Sequence, residues 1–308
     1  MSLDLSLSRD LVLALLPELV LTGWGLLLLL VVAARHRTAA DLRLAGWITL
    51  AALISTAGVV GWLWGSGAHA AGIATMIAVD DFRFVTDWIF LGTAALTVLL
   101  SVAYLEREQL LAPEYYVLLL FATVGMMLLG GGEDLMVIFL GLELMSVCVY
   151  VLAGINRRSP GGAEAALKYF LLGAFSSGFL VYGLALLYGA AGSLNLAEIA
   201  QVAGRPSPML SMGLGLVIVG LAFKIAIVPF HQWVPDVYTG APTNVTAFMA
   251  AATKTVAFAA LIRVLAGAFG EQSTVWIPIA TWLAVATMTI ANLVALAQTN
   301  IKRLLAFS

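Results

Sequence analysis

Charge is scarce in this chain. Of its 308 residues only 10% are Asp, Glu, Lys or Arg, while 62% are hydrophobic and the mean hydropathy is +1.03. Soluble domains carry about 25% charged residues, so the composition excludes a soluble globular protein and predicts a polytopic membrane protein. The net charge of −2 excludes the basic surface that a nucleic-acid partner requires. Cysteine is nearly absent as well. A single Cys148, set in an apolar run, rules out an internal disulfide and a thiolate metal cluster, and it reads as packing. No His/Cys group has metal or haem spacing, and no GxGxxG follows a strand. The glycines of Gly130–Glu133 are not followed by GK[ST], so they are no phosphate loop. The N-terminal MSLDLSLSRD lacks a basic n-region, and the first apolar segment is long enough to span, so no cleavable signal is expected.

What is present is a succession of apolar runs. A span needs about 20 apolar residues, and such runs fall at 11–34, 43–65, 85–105, 114–131, 134–154, 164–189, 209–229, 242–267 and 275–298. The closing RLLAFS reads as the start of a tenth helix, which predicts that the chain is part of a longer protein. The 66–84 connection, with GSGAHAAG and Asp80–Asp81, reads as a loop. In the 190–208 connection, Asn195 and Glu198 suit a capping box that opens a short surface helix. Lys and Arg fall mainly on one set of connections: Arg35, Arg37, Arg43, Arg107, Arg157, Arg158, Lys302 and Arg303. The opposite set holds Arg9, Arg83, Arg205 and Arg263 at most. The positive-inside rule therefore puts the first set in the cytoplasm and the N-terminus outside.

Lysine is used where it is least favourable. There are four, Lys168, Lys224, Lys254 and Lys302, and two of them lie deep in apolar runs. A lysine at the centre of a bilayer costs roughly 2.5–3.5 kcal/mol on insertion scales, so such residues are usually paired and tied to moving charge. Glu143 lies nine residues into its span if the helix starts at Asp134, or about 13 Å. Lys254, twelve residues after Pro242, is about 18 Å in. Lys224 follows a long apolar stretch. Pro229, five residues on, predicts a helix break just beyond the lysine. Broken helices at membrane depth line cavities or ion sites. An acid and two amines at similar depth can pair, and a charge moved near one alters the proton affinity of the other, which is the basis of a relay.

Each of these residues also has a static reading. Glu143 and Lys224 could be a fixed ion pair, and Lys254 could snorkel. Lys168, four residues after Glu164, is explained by an interfacial i,i+4 pair. His231 is either a relay with a pKa near 6.5 or a loop histidine packed among Trp233 and Tyr238. Glu133 and Asp134 read as a solvated turn, Lys302 with Arg303 as a cytoplasmic anchor, and Glu18 beside Pro17 is open.

Four motifs carry a family resemblance: FLGLELMSVCVYVLAG, EAALKYFLLGAFSSGFLVYG, FKIAIVPFHQWVPDVYTGAPTNVTAFMAAATKTVAFAALIR and QTNIKRLLAFS. In this order they resemble the antiporter-like membrane subunits of respiratory complex I, most closely the subunit N pattern of bacterial NADH–quinone oxidoreductase. The resemblance runs from about residue 114 to the end, and the first three spans match in character only. It implies an all-α polytopic transmembrane helical bundle of fourteen spans, of which this chain carries about nine full spans and the start of a tenth. It also implies a broken seventh helix and the first of two inverted five-helix repeats. The implied divisions are 1–113, a three-span region; 114–270, the first repeat; and 271–308, the start of the second. By match of motif, Glu143, Lys224 and Lys254 are proton-path residues, and Lys168 matches the sixth-span lysine. The charged residue of the family's second broken helix has no counterpart here, so these residues alone do not complete a transmembrane path if it is required. The resemblance further implies a bacterial inner-membrane location and no cofactor in this chain. NADH, FMN, iron–sulfur clusters and quinone are expected in partner subunits, among them neighbouring antiporter-like membrane subunits. The alternative is a subunit of a multi-subunit cation/proton antiporter.

Overall fold

The computed structural model describes residues 5–35, 38–67, 76–205 and 207–307. Among the described residues the secondary structure is helical, apart from one antiparallel bridge between Ile77 and Gly132. The chain forms two compact units, Met1–Leu152 and Ala153–Ser308.

In the first unit, α1 (Leu5–Ala14) leads into α2 (Leu16–Ala33), which opens with Pro17 in its first turn. Then come α3 (Ala39–Gly65), α4 (Asp81–Arg107), α5 (Glu114–Gly131) and α6 (Leu135–Ala153). Their starts follow from side chains that accept otherwise orphaned N–H groups. Thr38 and Asp41 form a reciprocal capping box on α3, and Asp80 accepts from the Arg83 N–H at 2.8 Å to open α4. The helix α5 is the core of this unit, with 78% of its apolar window buried. It meets α6 backbone to backbone: a Cβ on Gly125 would lie 2.8 Å from the Gly141 carbonyl. Only small residues allow helices that close approach.

In the second unit, Ser159 and Pro160 start α7 (Pro160–Ala191), and Gly192, at φ 73°, ends it. Asn195 accepts from the N–H groups of Ala197 and Glu198 and so opens α8 (Leu196–Ala203), as its spacing predicts. Ser207 caps α9 (Pro208–Ile225), which packs along α7 where a Cβ on Gly183 would meet the Gly213 carbonyl at 2.9 Å. A short α10 (Val234–Gly240) follows, then α11 (Thr243–Ala268), α12 (Gly270–Leu296) and α13 (Ile301–Phe307).

Nine of the described helices are long and apolar enough to cross a membrane, one for each run expected from the sequence. One local expectation needs correction. The 66–84 connection is a shorter loop than expected, since α4 begins at Asp81; Ala78 N–H donates to the Gly131 carbonyl and Glu133 N–H to the Met76 carbonyl, each at 2.8 Å, tying it to the turn between α5 and α6. Its residues 68–75, like Arg37 of the cytoplasmic set, lie outside the described residues. The seventh span ends at Ile225, so the helix breaks just beyond Lys224 as expected, short of the 229 to which the apolar run extends. Ala226 turns into the left-handed region at φ 68°. Ile227 N–H then bonds to the Ala222 carbonyl and Ala226 N–H to Phe223, so the last carbonyls are satisfied in a Schellman closure before the proline is reached.

Candidate functional site

The helix break places Lys224 in the last turn of α9, with only 2% of it exposed. Its Nζ stands 5.2 Å from the ring centroid of Tyr169 on α7 and 5.8 Å from that of Phe223. The broken segment folds back so that Trp233 stacks on Tyr169 at 4.2 Å and 8° between planes. The Trp233 indole N–H donates to the Phe223 carbonyl at 3.1 Å, one residue before the lysine. An ammonium within about 6 Å of a ring centroid is attracted by the ring quadrupole, most strongly where water is excluded.

Lys254 lies on α11 at the end of a wide π-type turn, Met249–Thr253. Such turns recur at functional sites because they redirect side chains without ending a helix. Its Nζ stands 5.7 Å from the Tyr238 ring. Lys254 and His231 line one cavity of about 430 Å³, together with Ala226, Ile227, Trp276 and Thr287. The Thr287 hydroxyl accepts from the Val228 N–H at 3.1 Å, so α12 holds the broken segment at the cavity wall. The second unit thus brings Lys254 and His231 to one space.

Lys168 is placed differently. It is half-exposed and bonds Glu164 and Asp236, both at 2.7 Å, while Asp236 also takes Arg303 at 3.2 Å. The i,i+4 pair with Glu164 is the one its spacing predicts. Lys302 donates to the Ala241 carbonyl at 2.8 Å and so helps close the end of α10. Glu143 belongs to the first unit, half-buried on α6, with Cys148 buried on the same helix. Among the described residues there is no group of three or more His, Cys, Asp or Glu able to hold a metal ion.

Residues 132–308, more than half of the chain, match the family described as NADH:quinone oxidoreductase/Mrp antiporter, TM. The chain belongs to this family. It is 46% identical over 300 residues to NADH-quinone oxidoreductase subunit N of Trichlorobacter lovleyi, covering 95% of this chain and 60% of that relative. It is also similar to a chain of respiratory complex I from Thermus thermophilus with bound aureothin. There the TM-score is 0.77 at 37% identity, covering 94% of this chain and 61% of that one. A chain of the Mrp complex from Dietzia sp. DQ12-45-1b matches with a TM-score of 0.77 at 26% identity, over 97% and 56%. The chain therefore spans about 60% of the length of the curated relatives it matches.

Outside the part matched by the NADH:quinone oxidoreductase/Mrp antiporter family, the first unit holds an ionic cluster that sequence reading missed. Arg83, counted from the sequence as an outer connection cation, is 1% exposed. Its Nη2 donates to Glu18 at 2.7 Å and to the Ala14 carbonyl at 2.8 Å, its Nη1 to the Ala78 carbonyl at 2.8 Å, and its Nε lies 3.5 Å from Asp87. Glu18 and Asp87 are buried as well. This resolves the open reading of Glu18: it is an internal ion-pair partner tying α2 to α4. The i,i+4 spacing of Arg83 and Asp87 was the available signal. The contact between Glu18 and Arg83, 65 residues apart, was not readable.

Proposed function

We propose that this chain is a proton-translocating membrane subunit of a bacterial NADH–quinone oxidoreductase, of the N type, residing in the inner membrane. The observation that carries the reading is Lys224, a buried amine at the end of a broken helix, with Lys254 and His231 on a neighbouring cavity. Buried lysines persist at membrane depth where charge moves. In this reading Lys224 and Glu143 each accept and release a proton. Lys254 and His231 pass it on, and Lys168 exchanges it near the Asp236 cluster on the cytoplasmic side. The repeat spans 114–270, preceded by a three-span region at 1–113 and followed at 271–308 by the start of a second repeat. NADH, FMN, iron–sulfur clusters and quinone belong to partner subunits. Redox energy reaches this chain as a change of charge or shape at a neighbouring membrane subunit. The N-terminus is outside, since the burial of Arg83 and Arg263 leaves still fewer cations on the outer connections.

A second reading, a subunit of a cation/proton antiporter without redox partners, draws on the likeness to the Mrp complex chain. Inverted membrane vesicles distinguish the two, with and without the gene for this chain. The first reading expects NADH-driven proton uptake that is lost on deletion. Sodium–proton exchange that depends on the chain and is indifferent to NADH would replace it with the second.

A further inference from the structure

The two lysine seats are not separate. Trp233, stacked on Tyr169 at 4.2 Å, also meets Tyr238 edge-on at 6.3 Å and 77°. Tyr169 lies under Lys224 and Tyr238 under Lys254, so three rings run unbroken from one amine to the other. All three are 2% exposed or less. Trp233 is fixed to the helix break by its bond to the Phe223 carbonyl. The Tyr238 hydroxyl is buried and finds no protein hydrogen-bond partner, so what this residue offers its surroundings is its ring.

We propose that Tyr169, Trp233 and Tyr238 are positioning residues that form one aromatic seat for Lys224 and Lys254, holding each amine while it is charged and freeing it when it is not. The inference rests on the functional reading of the lysines given above. A ring face attracts an ammonium through its quadrupole, and a neutral amine lacks that attraction. With water excluded, the π faces supply part of the solvation that the charged amine has lost. Loss of the proton therefore releases the side chain from its ring, and its return seats the side chain again. Because Trp233 touches both tyrosine rings, a shift of the broken segment moves both seats together. Simple packing of three rings would require shape only, and would be indifferent to the electron density of their faces.

That difference is testable in the whole complex. Tyr169 is replaced by phenylalanine and then by phenylalanines carrying one, two and three ring fluorines, which drain the π face at nearly constant shape. Tyr169→Phe is the reference against which the fluorinated series is read. Protons pumped per NADH should then fall stepwise with fluorination, by roughly two- to thirtyfold over the series, the range that cation–π strengths imply. Tyr238→Leu, which removes the ring, should pump less than Tyr238→Phe, which keeps it, with assembly retained in both. A flat fluorine series in an assembled complex, where Lys224→Ala nonetheless stops pumping, overturns the seat alone. If Lys224→Ala pumps normally, the functional reading falls, and the seat falls with it.

Discussion

Replacing Arg83 by glutamine should destabilise the first unit more than any other single polar substitution in it. Arg83 is 1% exposed, and the two carboxylates it faces, Glu18 and Asp87, are 3% and 0% exposed. The change also withdraws donors from the carbonyls of Ala14 and Ala78. Removing one partner of a buried ion pair costs about 3–5 kcal/mol, because the charge left behind is neither solvated nor paired. Each carbonyl left without a donor costs about 1–3 kcal/mol more, though glutamine can restore one and the contributions are not additive. Taking about 3–5 kcal/mol as the total, the folded-to-unfolded ratio falls by about two to four decades. Against a typical stability of about 5–15 kcal/mol this is about a fifth or more of the whole. Retention of the native fold through a denaturing-detergent titration of the complex measures it. The triple replacement Glu18→Leu, Arg83→Met, Asp87→Leu should recover much of the loss, since apolar groups can replace a complete buried ionic cluster at little cost. An Arg83→Gln protein within about 1 kcal/mol of native would refute the reasoning, because a buried ion pair broken on one side cannot cost so little.

Three further outcomes are expected. Ala226→Gly should raise stability by about 1–2 kcal/mol in the same titration, since Ala226 holds φ 68°, where a side chain is strained; Ala226→Val should lower it. Asp236→Asn removes the shared partner of Lys168 and Arg303 at a partly exposed site, so its effect on assembly should be small and should shrink as salt is added, as blue-native gels at two ionic strengths will show. Cys148→Ser should leave assembly and turnover near native, because the thiol is buried as packing on α6; lost pumping with normal assembly would reveal a further role for that helix.

The spans were readable because hydropathy over some twenty residues is a local quantity, and each expected run holds a helix. The helix start at Asn195 was readable for the same reason, since a cap acts within three residues. The pair of Glu164 and Lys168 is local too. What escaped is what depends on distant chain or on backbone without a sequence signature. Arg83 reads as a connection cation until Glu18 is brought to it from another helix. Asp236 reads as one loop acid, whereas its partners Lys168 and Arg303 come from both sides of the chain. The break after Lys224 was expected, but the left-handed turn at Ala226 that makes it escaped, because alanine, unlike glycine, does not announce one. The π-type turn before Lys254 has no sequence signal, and the aromatic seats depend on a fold-back that no spacing rule supplies.

The most direct test of the central claim is proton pumping by the assembled complex carrying Lys224→Ala or Lys224→Arg. A relay must give up its proton, and arginine stays charged at any accessible pH. The account expects both complexes to assemble, Lys224→Ala to lose pumping wholly or nearly so, and Lys224→Arg to fall well short of rescue. A Lys224→Arg complex that assembles and pumps at the native rate would contradict it, and would leave Lys224 as a fixed charge.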